Sequence, residues 1–395
     1  MKCAVLECNF VEMSNRRIKA EKLFDGYHFV TGKILELTDE GIIEDILEDD
    51  GNIQAEFFEG ILTPGFVNCH CHLELSHLKG MIEKNTGLVG FVQEVMKHRF
   101  FSAEKIRSAA EVYDNYMWQK GTVAVGDICN TADTIAVKTD SKIRYKNFIE
   151  ATGFLPAIAE PRMNAALQVY EAFVENNLEA SIVPHAPYSV SKELFHKINQ
   201  HSAGEVISIH NQETEGEDLF FKERSGGFAD LYTIMQADIS FFRPSRKSSL
   251  ATVLPYLASS KKILLVHNTF TKEEDIIFAE DFARKNNIEL YWVLCANANL
   301  YIEGKLPSVK LFLQHACKIC IGTDSLSSNE DLDILSEVRT LRKYFPELKD
   351  EILLKAICAQ GASALGCDGL GKLQTGLQPG INLIDRDFNF VKKIY

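Results

Sequence analysis

The chain holds 395 residues, 46% of them hydrophobic and 25% charged, a balance that excludes wholesale disorder and leaves material for a large core. Its 42 Lys and Arg against 55 Asp and Glu leave a net charge of −13, which argues against nucleic acid or an anionic membrane as partner and for a small molecule. Ten cysteines are too sparse for a disulfide scaffold, the first residues turn polar at once, and no apolar run reaches ~18 residues; a cytoplasmic protein with free thiols and no membrane span is expected.

In chain order, residues 1–60 read as short strands at 5–8, 27–30, 33–37 and 41–46, punctuated by Gly, Asp and Asn. The last residues look similar, with strand-like stretches at 371–373 and 381–385 and turns at Gly376 and Pro379-Gly380. Both ends fit one small β-sandwich domain of residues 1–62 plus 371–395; two unrelated peripheral hairpins are the alternative.

Between them, residues 63–370 alternate short apolar runs with helical stretches, the texture of βαβ units. Strands are expected at 65–68, 122–126, 145–150, 180–183, 206–209, 263–266, 288–293 and 319–321. Helices are expected at 88–100, 103–119, 161–176, 192–200, 250–258, 273–285 and 332–344. Eight strand–helix units predict an α/β fold, a distorted (β/α)8 TIM barrel. An open doubly wound sheet is disfavoured, because no Gly-rich phosphate loop follows the first strand.

Barrel enzymes carry their reactive groups just past the C-terminal ends of strands. Here the first strand runs into His70-Cys71-His72, the fourth into His185, the fifth into His210, the sixth into His267 and the eighth into Asp324. Residues i and i+2 of a strand face the same way, so His70 and His72 converge on one point. With His210, His267 and Asp324 they make a donor set suited to Zn²⁺ or Fe²⁺ with one position open for water.

These segments resemble the amidohydrolase superfamily, in its deaminase and chlorohydrolase branch. Thr63 to Leu73 is similar to the branch's first-strand signature, and Ser208-Ile209-His210-Asn211-Gln212-Glu213 to its fifth-strand His-x-x-Glu. Val266-His267-Asn268 resembles the sixth-strand histidine, Gly322-Thr323-Asp324-Ser325 the eighth-strand aspartate, and Cys295-Ala296-Asn297-Ala298-Asn299 a Cys-Pro-x-(Ser/Ala)-Asn segment with Ala296 in place of Pro. Gly371-x-Leu-x-x-Gly376 resembles the closing β domain. The likeness spans nearly the whole chain.

The resemblance implies one divalent metal per chain, zinc ahead of iron, held by His70, His72, His210 and Asp324. No strand-end lysine suits carbamylation, since Lys146 lies too early in the third strand. The implied reaction is hydrolytic deamination of a purine-like or other nitrogen heterocycle by metal-bound hydroxide. Glu213 would carry the water's proton to the ring nitrogen, His267 would hold the hydroxide or the developing oxyanion, and Asp324 would help protonate the departing amine. The resemblance makes His185 a substrate contact, and Glu74 in the first loop a candidate for ring or sugar contact. A chlorohydrolase or cyclic amide hydrolase is the alternative, and a non-catalytic scaffold of this fold a remote one. A homodimer is a family expectation.

Other features weigh less. His77 fits either a substrate contact or a loop cap. Cys317-x-x-Cys320 has metal spacing but no second pair, so it reads as core. The connection at 215–262 is long enough to suggest a lid that sets specificity, with Arg243 or Arg246 meeting a substrate carboxylate or phosphate; an oligomer contact is the other reading.

Overall fold

A computed structural model describes residues 16–395, so the strand expected at 5–8 lies outside the described residues. Eight strands between residues 66 and 321 run parallel in two four-stranded sheets. The first holds β1 (Phe66–Cys71), β2 (Thr122–Cys129), β3 (Arg144–Ala151) and β4 (Ala180–Pro184), paired in that order. The second holds β5 (Val206–Asn211), β6 (Lys262–His267), β7 (Glu289–Leu294) and β8 (Ile319–Ile321). Every position of β1, β2, β5 and β6 is buried. That is why these strands read as unbroken apolar runs, as parallel strands covered on both faces do.

Two backbone contacts draw the sheets together where the strands end. The His210 N–H donates to His185 O at 3.0 Å, from β5 to the residue after β4. On the other side, the N–H groups of Thr323 and Asp324 both donate to His70 O at 3.0 Å. Asn68 reinforces this second junction: its Nδ2 donates to Thr323 Oγ1 at 2.7 Å. The result is a TIM-barrel-like α/β fold.

Helices fill the connections where the sequence supplies caps. Ser191 accepts the Leu194 N–H at 3.2 Å to start Lys192–His201, and Asp333 accepts the Leu335 N–H at 3.0 Å to start Ile334–Tyr344. The helix expected at 250–258 is instead an α-helix over Ser249–Val253 followed by a 3₁₀ turn over Leu254–Leu257. Pro255 lacks the N–H that would continue the first.

The 215–262 connection, expected as a long loop with a helix only at 250–258, carries two more helices. It holds helices Glu215–Glu223 and Gly227–Ile234, joined at Gly226 with φ +82, a conformation glycine adopts without strain. Helices of nine and eight residues around a Gly-Gly pair give too little periodicity to read in sequence. Phe220, Phe221 and Phe228 bury their rings beneath them.

The described parts of both chain ends meet in one mixed sheet of seven strands. Arg16–Phe24 pairs parallel with Glu56–Pro64, which pairs antiparallel with Ile381–Ile384. Neither Arg16–Phe24 nor Glu56–Pro64 was expected as a strand. Ile18, Leu35, Leu37, Leu62 and Ile381 pack together in this sheet's own apolar cluster.

Candidate metal centre and active site

β1 delivers His70 within the strand and His72 directly after it. Their Nε2 atoms lie 3.1 Å apart, and Asp324 Oδ1 sits 3.5 Å from the first and 3.3 Å from the second. His210 closes in from β5 and His267 from β6, their rings 4.9 and 5.7 Å from that of His70. His70, His210, His267 and Asp324 each offer one donor atom within 4.8 Å of the others.

Burial holds these imidazoles neutral. It lowers His70 and His267, takes His72 down to about 3, and pushes His210 well below the ordinary histidine value. Burial alone would raise Asp324, but the hydrogen bond from His70 and the pull of His72 and His267 hold it far below the usual carboxylate range. His70 Nε2, His72 Nε2 and Asp324 Oδ1 thus converge within 3.5 Å of one another, three donor atoms that one cation could satisfy together. The donor set therefore fits a divalent metal, and its chemistry suits zinc or iron.

Surrounding groups fix which nitrogen each ring turns inward. His210 Nδ1–H donates to the His185 carbonyl at 2.8 Å, which leaves Nε2 for the centre. His267 Nδ1–H donates to Asn299 Oδ1 at 2.8 Å. Ser328 Oγ–H donates to Asp324 Oδ2 at 2.5 Å. His267 and Asp324 hold φ values of +74 and +58, the kind of backbone strain that marks functional sites.

Glu213 stands beside this cluster, 4% exposed, with Oε1 3.7 Å from His267 Nε2. Burial first, then the charges of Asp324 and Glu303, push its carboxyl well above the ordinary value. His185 faces His210 with ring centroids 4.8 Å apart, and its Nδ1 lies 2.6 Å from Ser189 Oγ. Glu74 Oε2 accepts the N–H groups of Asn130 and Thr131 at 2.9 and 3.1 Å. Burial nonetheless raises Glu74 to about 7.

Two expected substrate contacts stand elsewhere. His77 Nδ1 lies 3.0 Å from the Glu74 carbonyl and its ring packs on Phe101, so it serves the loop's own turn. Arg243 is exposed and forms no ion pair among the described residues. The cation the structure brings to the site is Arg99, 3.6 Å from Glu74 Oε1. It lies just past the helix Gly87–His98, where no motif announces it.

Glu150 was missed although a signal existed: it closes the third expected strand with a carboxylate, as Asp324 follows the eighth. It forms a second donor group with His185 and His210. Lys146 pairs with Glu205 at 3.5 Å, and Lys138 with Asp127. The eight described cysteines are buried and free.

The Amidohydrolase family profile matches residues 61–394. A curated relative, an adenosine deaminase of Helicobacter pylori, is 23% identical over 351 residues, spanning 87% of this chain and 83% of its own length. Among solved structures, the aminofutalosine deaminase of Helicobacter pylori in complex with methylthio-coformycin superposes with a TM-score of 0.80 at 21% identity, covering 94% of this chain and 92% of that one. An adenosine deaminase from Xanthomonas campestris with bound zinc gives 0.72 at 20% identity, covering 94% and 84%. With that profile running across nearly all of the described structure, the chain belongs to the amidohydrolase family.

Proposed function

We propose that this chain, a hydrolase of carbon–nitrogen bonds other than peptide bonds, deaminates a purine nucleoside. The observation that carries the proposal is the buried Glu213 carboxyl, 3.7 Å from His267 Nε2 of the four-donor cluster. His70, His72, His210 and Asp324 would hold the metal, zinc ahead of iron. When bound, such an ion makes water a competent nucleophile near neutral pH.

The chain's own residues then divide the proton work. His267 gives its Nδ1–H to Asn299, so its Nε2 is an acceptor that orients the attacking water by one hydrogen. Holding the nucleophile, rather than donating to an oxyanion, follows from that tautomer. Glu213 takes the water's other proton and passes it to the purine ring nitrogen. A carboxyl that burial raises well above the ordinary carboxylate value holds a proton more readily, which suits a group that must take one and return it. Asp324 stays ionised, so it accepts hydrogen bonds from water and the departing amine, and Glu213 is the better acid for that amine. The products are a carbonyl compound and ammonia.

His185 and Glu74 would line the substrate side. Residues 215–262 would form the lid: Tyr188 beside His185 stacks on Phe228 at 3.9 Å, and Tyr232 donates to the Tyr188 carbonyl at 2.7 Å. Residues 63–370 would close as the barrel, and residues 1–62 with 371–395 as the small β-sandwich. Among the described residues no helix is long and apolar enough to cross a membrane, and the free buried thiols fit the reducing cytoplasm.

Ammonia release by zinc-loaded protein tests the proposal. The panel is adenosine, 5′-methylthioadenosine, adenine, guanine, a pterin and a chlorotriazine. Release from the nucleosides is expected. Chloride from the triazine alone, or silence with zinc bound, would overturn it.

A further inference from the structure

Glu337 is a buried carboxyl that the mechanism leaves without a task. It lies on the helix Ile334–Tyr344 and has no exposed surface. Burial raises it to about 8 although two N–H donors pull the other way, and among the described residues no cation pairs with it. Both oxygens are filled by those donors. Oε2 accepts the Asn297 N–H at 2.9 Å, and Oε1 accepts from Asn329 Nδ2 at 2.8 Å.

The first donor opens the helix that controls His267. Helix Ala296–Glu303 follows Cys295, whose side chain caps nothing. The first N–H groups of a helix have no partner within it, and Glu337 takes that of Asn297 from outside. The same helix face grips the Asn297 side chain: Nδ2 donates to Ser336 Oγ at 3.1 Å, and Oδ1 accepts from Thr340 Oγ1 at 2.5 Å. Two residues on, Asn299 Oδ1 accepts the His267 Nδ1–H at 2.8 Å, and Asn299 Nδ2 donates to the His267 carbonyl at 3.4 Å.

The second donor reaches towards Asp324. Asn329 Nδ2 is shared between Glu337 Oε1 and the Thr323 carbonyl, at 2.8 Å each. That carbonyl belongs to the peptide leading into Asp324, whose φ is +58. A non-glycine residue keeps such a backbone only where its surroundings hold it. One carboxyl thus fastens the segment that orients His267 to the segment that delivers Asp324. A carboxyl buried without a cation is costly, and an apolar side chain could brace two loops as well. What the carboxyl adds is two acceptors at a fixed spacing, one for each loop.

We propose that Glu337 is a positioning residue for the hydrolytic reaction. It fixes the start of helix Ala296–Glu303 against the loop after β8, and through Asn299 keeps His267 facing Asp324 with Nε2 as an acceptor. This inference rests on the role proposed for His267 in deamination, and Glu337 is its new element.

The test compares zinc-loaded wild type with Glu337→Ala, Glu337→Gln, Thr340→Val, Asn299→Ala and the double variant Glu337→Ala, Asn299→Ala. One arm measures kcat per bound zinc and KM on the best nucleoside of the panel. The other records nitrogen NMR spectra of histidine-labelled protein, which report the tautomer of each ring. Glu337→Ala should lower kcat by about 10–100-fold with KM little changed. The double variant should lose far less than the product of the two single losses, because both act through His267. The His267 signals should move from the Nδ1–H tautomer to a mixture. Glu337→Gln keeps one acceptor and should recover part of both readouts. Thr340→Val removes one hydroxyl of the same grip, should shift the signals less, and carries the test if Glu337→Ala does not fold.

Wild-type kcat per bound zinc in Glu337→Ala, or a rise in KM alone, would overturn the proposal. Losses that multiply in the double variant, with the His267 signals unmoved, would also overturn it and leave Glu337 a structural brace. If wild type releases no ammonia from any nucleoside, the deamination reading falls and the spectra decide alone: shifted His267 signals keep the positioning role, and unmoved signals remove it. Ammonia release by wild type with neither arm changed in the variants sinks the positioning role and leaves deamination standing.

Discussion

Lys138 Nζ lies 2.5 Å from Asp127 Oδ2, and neither side chain has any exposed surface. Asp127 turns its other oxygen to the Leu73 N–H at 2.8 Å, directly after the metal-cluster residue His72. Lys138 also donates to Asn147 Oδ1 at 2.8 Å on β3. A fully paired interior charge thereby holds the first catalytic loop against the second and third strands.

Removing one partner should therefore be severe. Lys138→Met leaves Asp127 buried and unpaired, a change that typically costs about 3–5 kcal/mol. Urea unfolding should show a loss of that order. The double variant Lys138→Met, Asp127→Leu should recover part of the stability while binding zinc more weakly, since Leu73 loses its acceptor. Wild-type stability in Lys138→Met would rule out this role.

Gly322 follows β8 where the chain crosses β1. A Cβ there would stand 2.7 Å from His70 Cβ and 2.9 Å from the His70 backbone N and O. Gly322→Ala must push the first histidine aside. Zinc affinity should fall by about tenfold or more, within the range that displaced metal supports produce, while the circular dichroism spectrum keeps its native shape. Undiminished zinc affinity would contradict the packing described.

Asn299 sets the tautomer of His267 without reaching the reacting atoms. Asn299→Ala should lower kcat by about 10–100-fold with zinc retained, and Asn299→Asp, which keeps an acceptor, should restore part of it. A change in KM alone would point to substrate binding instead.

Stability should also depend on pH away from the metal. Burial raises Glu217 and Glu337 from 4.5 to about 8. Between those values the folded protein binds protons that the unfolded chain does not. Their contribution to stability is therefore fully present below about pH 4.5 and is lost as pH rises through about 8. Urea midpoints for Glu217→Gln should show a shallower decline from pH 5 to 8 than wild type. Parallel curves would remove Glu217 from that list.

How far the sequence could be read followed from the physics of each part. Parallel strands buried on both faces write themselves as apolar runs, and a histidine or aspartate at the end of such a run is conspicuous. All eight parallel strands between residues 66 and 321 were visible on that basis, and His70, His72, His210, His267 and Asp324 with them. Arg16–Phe24 was not, because a strand reading Arg-Arg-Ile-Lys-Ala-Glu-Lys-Leu-Phe carries charge at most positions. The helices of residues 215–234 were too short to show a period. Arg99 and Asn130 reach the site from loops, where position depends on tertiary packing, and Arg243, chosen for its charge, turned out exposed.

The most direct test of the catalytic reading is ammonia release by Glu213→Gln with zinc quantified in the same sample, using the best nucleoside of the panel. Glutamine keeps the shape and cannot carry the proton. Turnover should drop by about 10²–10⁴-fold with zinc per chain unchanged. A Glu213→Gln enzyme that deaminates at the wild-type rate would contradict the role assigned to Glu213 and the proton path built on it.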